Sequence, residues 1–222
     1  MIPLEDTQDA GHVAIVVKSS EFMPCASALY SYMLWLHKKV SWVCADMEMD
    51  GRFSFLPWFD KIKSSLPPSA DLILEPDGDL FCLYDFFKKN GVKINKKIST
   101  ALYASLLVRY DGFYSKELDG DVFTKAGELV ALGADYRTCS EFLIYRTTLA
   151  RLRLKSLMLG KMVLRNNARE MVFNLNEDDL GCSGATLSDA KIIIKDALGL
   201  EYVHKVTLVQ NGKILKSIGK EE

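Results

Sequence analysis

Apolar residues along the chain alternate between short β-branched runs and longer stretches with three-and-four spacing. The run His12–Lys18 (HVAIVVK) reads as a buried strand. Within Cys25–Lys39, the residues Ala28, Leu29, Tyr32, Met33 and Leu36 recur at helical spacing and predict a core-facing stripe. Lys38 and Lys39 suit the negative end of that helix. Val40–Ala45 (VSWVCA) is the next strand, and strand–helix–strand in this order opens a parallel, doubly wound sheet. Residues 46–69 are expected to hold a loop and a short helix ended by Pro67 and Pro68. Leu72–Leu74 is a third strand, closed by the turn residues Glu75–Asp79.

Helical patterns follow over Leu80–Lys89, Lys97–Leu107 and Gly120–Leu132, with Asn90-Gly91 and Gly133 as stops. A further helix is expected to run from Tyr136 with little interruption to Leu159. Its Arg146, Arg151, Arg153 and Lys155 read either as a phosphate-binding face or as a solvated one, and solvated faces are the commoner case. From Lys161 the texture turns to β: a hairpin with Asn166-Asn167 at its turn, a helix over Leu187–Leu198, and a hairpin around Asn211-Gly212. The expected fold is α/β, a doubly wound, mainly parallel sheet joined by a linker helix to a small α+β domain. Its boundaries fall at 1–145, 146–160 and 161–222.

Composition narrows the function classes. A chain of 222 residues that is 49% hydrophobic can bury a sizeable core. A formal net charge of -1 gives no reason to expect strong nonspecific binding to nucleic acid or to an anionic membrane. The N-terminal residues are polar and acidic, unlike a secretory signal, and the apolar runs Val13–Val17 and Leu102–Val108 are too short to span a bilayer. A cytoplasmic protein is therefore expected. The five cysteines lack C-x-x-C spacing and read as small buried hydrophobes.

Several ordered blocks resemble the DHH phosphoesterases, in particular the RecJ-like and nano-RNase kind. CASALYSYMLWLHKKVSWV resembles the family's first helix and second strand, and FLPWFDKIKSSLPPSADLIL the approach to its third strand. INKKISTALYASLLVRYDGFYSKELDGDVFTKAGELVALGAD resembles the stretch from an I-N-K-x-I-A-T-A-L-Y helix to a leucine-rich helix ending G-A-D. LARLRLKSLMLGKM is similar to the interdomain helix, and EDDLGCSGATLSDAKIIIKDALGLEYVHKVTLVQNGKILKS to the start of the associated C-terminal domain.

The resemblance implies hydrolysis of phosphodiesters by two divalent cations, usually manganese, held by several carboxylates and imidazoles. Against that ligand set the chain departs. Where the family has H-x-N-P-D-x-D, this sequence has Lys18–Pro24 (KSSEFMP), with Lys18 at the histidine and Phe22 and Pro24 at the aspartates. Glu75 takes the place of the next aspartate, with Asp77 and Asp79 beyond it reading as turn residues around Gly78. No His-His pair occurs among His12, His37 and His204, and the segment carrying the name-giving motif is expected to be missing before the helix at Leu80. Arg109 stands at the fourth aspartate, with Asp111 two positions out of register, and the sequence given ends before the family's G-G-G-H motif.

Three functions follow from this reading. The first is a non-catalytic, degenerate homologue acting as a protein-binding or regulatory module, through a protein partner or a homo- or hetero-oligomer; Phe22 and Met23 at the cleft mouth are its expected interface if exposed and a plug if buried. The second is a nucleotide or oligonucleotide sensor that binds an anion through Lys18, Ser19, Ser20 and Arg109 without hydrolysis. The third is a residual phosphodiesterase of nano-RNase or phosphatase type using Glu75, Asp77, Asp79 or Asp111. No catalytic or metal-binding residue and no cofactor are expected under the first two, with Glu75 the one vestigial ligand; manganese is expected only under the third.

Overall fold

The computed structural model describes residues 7, 9–45, 49–76 and 81–220, with residues 81 and 82 described by backbone alone. The chain forms two compact units, Met1–Arg146 and Thr147–Glu222.

In the first unit, β1 (His12–Val16), β2 (Lys39–Val43), β3 (Ile62–Lys63) and β4 (Leu72–Leu74) make a four-stranded, all-parallel sheet in the order β3-β2-β1-β4. Register aligns Ile62, Trp42, Ile15 and Leu74 in one row across the strands. Because side chains alternate along a strand, this row and Val13 face the same way and enter the core. Each such fully buried aliphatic side chain contributes about 1.5–3 kcal/mol.

Helix α1 (Met23–Trp35) packs against β1, β2 and α3 (Lys96–Arg109). The sequence predicts a stripe, yet the helix is buried almost all round from Met23 to Met33, because sheet and α3 sandwich it. The polar side chains this buries are satisfied: Ser27 Oγ donates to the Pro57 carbonyl at 2.8 Å, and Ser31 Oγ accepts from Trp58 Nε1 at 2.9 Å. Asn95 caps α3 by accepting from the Lys97 and Ile98 N–H groups. Helices α2 (Phe81–Lys89) and α4 (Gly120–Ala131) are tied by Lys125–Asp85 at 2.9 Å and Lys88–Glu128 at 2.8 Å.

The long helix expected from Tyr136 to Leu159 is two helices. Helix α5 (Tyr136–Ser140) widens into a π turn over Glu141–Tyr145, where the Arg146 N–H reaches the Glu141 carbonyl at 2.7 Å. Arg146 is extended, and Thr148 then caps a new helix, α6 (Leu149–Gly160), by accepting from the Arg151 N–H.

Helix α6 belongs to the second unit, where Leu154 and Met158 join Phe173, Val206 and Leu208 in a separate core. The sheet here is mixed, ordered β5 (Val163–Arg165), β6 (Glu170–Leu175), β7 (Lys205–Gln210) and β8 (Lys213–Gly219), with β6 and β7 parallel and both edges antiparallel. Both hairpins fall where expected. The first turns through Asn166, Asn167 and Ala168, all at positive φ; the second turns at Asn211 and Gly212, at φ 50 and 77. Capping boxes start α7 (Glu177–Ser183) and α8 (Leu187–Leu198), with Asn176 paired to Asp179 and Thr186 to Asp189. The architecture is thus α/β with a parallel sheet and a separate small mixed-sheet unit, as the sequence predicts. Among the described residues no helix is long and apolar enough to cross a membrane.

Candidate functional site

In an open parallel sheet, ligands sit beyond the carboxyl ends of the strands, beside the point where strand order reverses. Here that point lies between β1 and β4, whose last paired residues are Ile15 and Leu74. The chain leaves β1 through Val17, still bonded to the Val43 carbonyl at 2.9 Å, and Lys18 emerges. Ser19 is extended, Ser20–Phe22 form a single 3-10 turn, and Pro24 sits in the first turn of α1. Glu75 follows β4 directly, so adjacent strand ends deliver Lys18 and Glu75 to the same place.

The result is an ion pair: Lys18 Nζ lies 2.6 Å from Glu75 Oε2. Both side chains are exposed, at 71% and 50%. Ser19 Oγ donates to Glu21 Oε1 at 3.3 Å, which puts a second carboxylate beside the serines. Arg109, at the end of α3, pairs with Glu117 at 3.3 Å and sits 6.0 Å from the centre of the Tyr110 ring. Of the four expected anion contacts, Lys18 and Arg109 are therefore held by separate carboxylates. A phosphate at Lys18 has to compete with Glu75. Asp111, Gly112 and Phe113 follow Arg109 at positive φ, three successive left-handed residues.

Phe22 is partly buried against the core, Met23 is 0% exposed and Pro24 is buried. Of the two arrangements expected for Phe22 and Met23, the structure has the buried, plug-like one. Asp77 and Asp79 lie outside the described residues. In the sequence only the six residues 75–80 separate β4 from α2, and those beyond residue 76 lie outside the described residues.

Two hard cations need several oxygen ligands around a shared point. Among the described residues, no three His, Cys, Asp or Glu side chains converge in this way. Glu75, the carboxylate expected as a vestigial ligand, faces an ammonium group. The described side chains at this place do not supply the ligand set of a two-cation centre.

The basic stretch after Tyr136 also resolves into separate contacts. Arg146 lies over the Phe142 ring at 4.4 Å, Arg151 Nε reaches Asp189 at 2.8 Å, and Lys155 reaches Asp196 at 2.8 Å. Arg151 and Lys155 join α6 to α8 within the second unit. A shallow depression of about 350 Å³ on the first unit is lined by Tyr136, Arg137, Ser140, Glu141 and Tyr145. Sequence reasoning misses it because an uninterrupted helix would not cup these side chains; Thr147-Thr148 before Leu149 is the signal that marks the break.

Burial pushes the Cys25 and Cys139 thiols up to about 12 and Cys44 up to about 11, which makes them inert as nucleophiles near neutral pH. Cys182 is exposed.

No family model matches the sequence, and no curated protein matches it. Its fold is similar to that of an exopolyphosphatase-related protein from Bacteroides fragilis, with a TM-score of 0.76 at 11% identity over 93% of this chain and 78% of that one. A candidate family II inorganic pyrophosphatase from Methanococcus jannaschii aligns at 12% identity over 90% of this chain and 64% of that one, with a TM-score of 0.31. The first of these likenesses supports the DHH-like fold expected from the sequence.

Proposed function

We propose that this chain is a non-catalytic member of the DHH-like fold that works as a protein-binding or regulatory module. The observation that carries the proposal is the Lys18–Glu75 ion pair at the sheet's switch point. Two-metal hydrolysis requires carboxylates free to hold cations at that place, and here the matched carboxylate is neutralised by a lysine. Phe22 and Pro24, at the positions of the expected aspartates, contribute to core and helix start. What persists is the folded body, and a body without its hydrolytic groups acts through what it binds.

The test has two arms. Hydrolysis of a model phosphodiester with manganese is expected at background for wild type and for Glu75→Ala alike; manganese-dependent turnover that Glu75→Ala abolishes refutes the non-catalytic reading. Light scattering combined with repeated affinity capture addresses binding, and a monomer with no reproducible partner counts against the module. The competing nucleotide-sensor reading requires phosphate to displace Glu75 from Lys18. Calorimetry with dinucleotides and mononucleotides discriminates it, since binding that survives Lys18→Ala plus Arg109→Ala leaves that site without support.

A further inference from the structure

The parallel sheet has a second face, away from the apolar row, and it carries a polar cluster. Register sets His12 beside Lys39, Ala14 beside Ser41 and Val43 beside Lys63. With alternation along each strand, His12, Lys39, Ser41 and Lys63 all project from this face. His12 is only 4% exposed, and both ring nitrogens meet hydroxyls: Nδ1 lies 2.9 Å from Ser69 Oγ and Nε2 lies 3.0 Å from Ser41 Oγ. Lys39 Nζ donates to that same Ser69 Oγ at 3.4 Å, and Lys63 Nζ donates to Ser41 Oγ at 3.2 Å.

Two ammonium groups are thus drawn, through two hydroxyls, to the two ends of one buried imidazole. Asp71, the nearby carboxylate, is engaged elsewhere: it accepts from the Gly11 and His12 backbone N–H groups, both at 2.9 Å. Among the described residues, the partners of Lys39 and Lys63 are these neutral hydroxyls, which position the cations without cancelling their charge. Each ammonium carries three donors and spends one here, so donors remain for an incoming acceptor. Ser69, itself exposed, accepts from Lys39, and in the tautomer with the proton on His12 Nδ1 it accepts there too and can turn its own hydrogen outward.

We propose that this cluster is an oxyanion site that takes a phosphate group, either free or as the end of a phosphate monoester. Lys39 and Ser69, joined at one end of the imidazole, supply the donors, Lys63 at its other end adds positive charge, and His12 is a positioning residue that braces both serines from beneath. His12 and Lys39 open β1 and β2 at their amino ends and Lys63, which pairs with Val43 near the carboxyl end of β2, reaches back to Ser41, whereas Lys18 follows the carboxyl end of β1 and pairs with Glu75. The site does not rest on the proposed function above.

The test is a calorimetric titration of the full chain at fixed ionic strength with inorganic phosphate, with glycerol 3-phosphate in a second arm and chloride in a third. Saturable phosphate binding is expected, weakened about tenfold or more in Lys39→Gln plus Lys63→Gln, since charge-assisted hydrogen bonds are among the stronger ones. Both lysines are exposed, so the double variant is expected to fold, and thermal melting checks that it does. Independently of any variant, phosphate should shift the amide resonances of Gly11, His12, Ser41 and Ser69 in the wild type. Binding of both phosphates identifies a site open to monoesters, and binding of inorganic phosphate alone identifies a free-phosphate site. The proposal is overturned if phosphate gives no saturable heat, if chloride gives the same response, or if the double variant binds as wild type does. Binding abolished by Lys18→Ala but kept by the double variant also overturns it and moves the anion to the strand carboxyl ends.

Discussion

Replacing Leu154 by Ala tests whether α6 is part of the second unit's core. Leu154 is 0% exposed and packs in the cluster built by Met158, Phe173, Val206 and Leu208. Truncating a leucine at such a site removes its transfer energy and leaves a cavity, at a cost of about 2–5 kcal/mol. A unit of this size has a total stability of roughly 4–11 kcal/mol, so the variant loses a large share of it. With a urea dependence of about 1–2 kcal/mol per molar for a small unit, the midpoint should fall by at least about 1 M. The three tryptophans, Trp35, Trp42 and Trp58, all lie in the first unit, so fluorescence follows that unit alone. Far-UV circular dichroism follows both. The expected result is an earlier transition by circular dichroism with an unmoved fluorescence midpoint. Leu152→Ala on the same helix, where the leucine is 56% exposed, is the control and should change stability by about 0.5 kcal/mol or less. A circular dichroism shift under about 0.5 M, or an equal shift in fluorescence, would refute separate cores with α6 in the second.

Lys18→Ala should change stability by less than about 1 kcal/mol in a urea melt, because the pair it breaks is exposed. For Asp189, burial raises the carboxyl, but the Thr186 backbone and hydroxyl donors and the Arg151 guanidinium outweigh that and hold it below the usual range. Its contribution is therefore present above the unfolded value near 3.9 and is lost as pH falls through the lower folded value. Asp189→Asn is expected to cost about 1–3 kcal/mol at pH 7, with the difference from wild type shrinking below about pH 4 in pH-resolved melts. A thiol reagent at pH 8 followed by peptide mapping should label Cys182 in the native protein and spare Cys25, Cys44 and Cys139, whose thiols are buried.

Local signals carried most of the element boundaries into the structure. Helix α8 starts and stops where its capping box and periodicity put it, and Asn211-Gly212 turns its hairpin as the dipeptide requires. Strand β3 escaped notice because Ile62–Lys63 is too short for any period to register. The break after Tyr145 escaped because apolar residues keep helical spacing through it, while the deciding events are a single wide turn and the Thr148 cap. The site residues were legible as identities and not as contacts. Lys18 and Glu75 are far apart in sequence, and only the parallel pairing of β1 with β4 puts them together. The cluster around His12 is less legible still, since Ser41, Lys63 and Ser69 reach it through three different strands or loops.

The way these residues are used bears on whether a two-cation centre could be built at this place by a few substitutions. A metal ligand must be a carboxylate that is solvated or cation-bound, whereas Phe22 packs on the core and Pro24 is buried in the first turn of α1. An aspartate at either place would have to bury a charge or pull apolar contact into water, each of which opposes folding. Lys18 and Glu75 pull in the same direction, because each satisfies the other and a cation would have to displace the ammonium. Phe22 and Pro24 are here part of what stabilises the core and the start of α1. Core packing at Phe22 and Pro24 therefore opposes two-cation chemistry through stability, whereas the exposed Lys18–Glu75 pair, worth little to stability, opposes it by occupying the carboxylate.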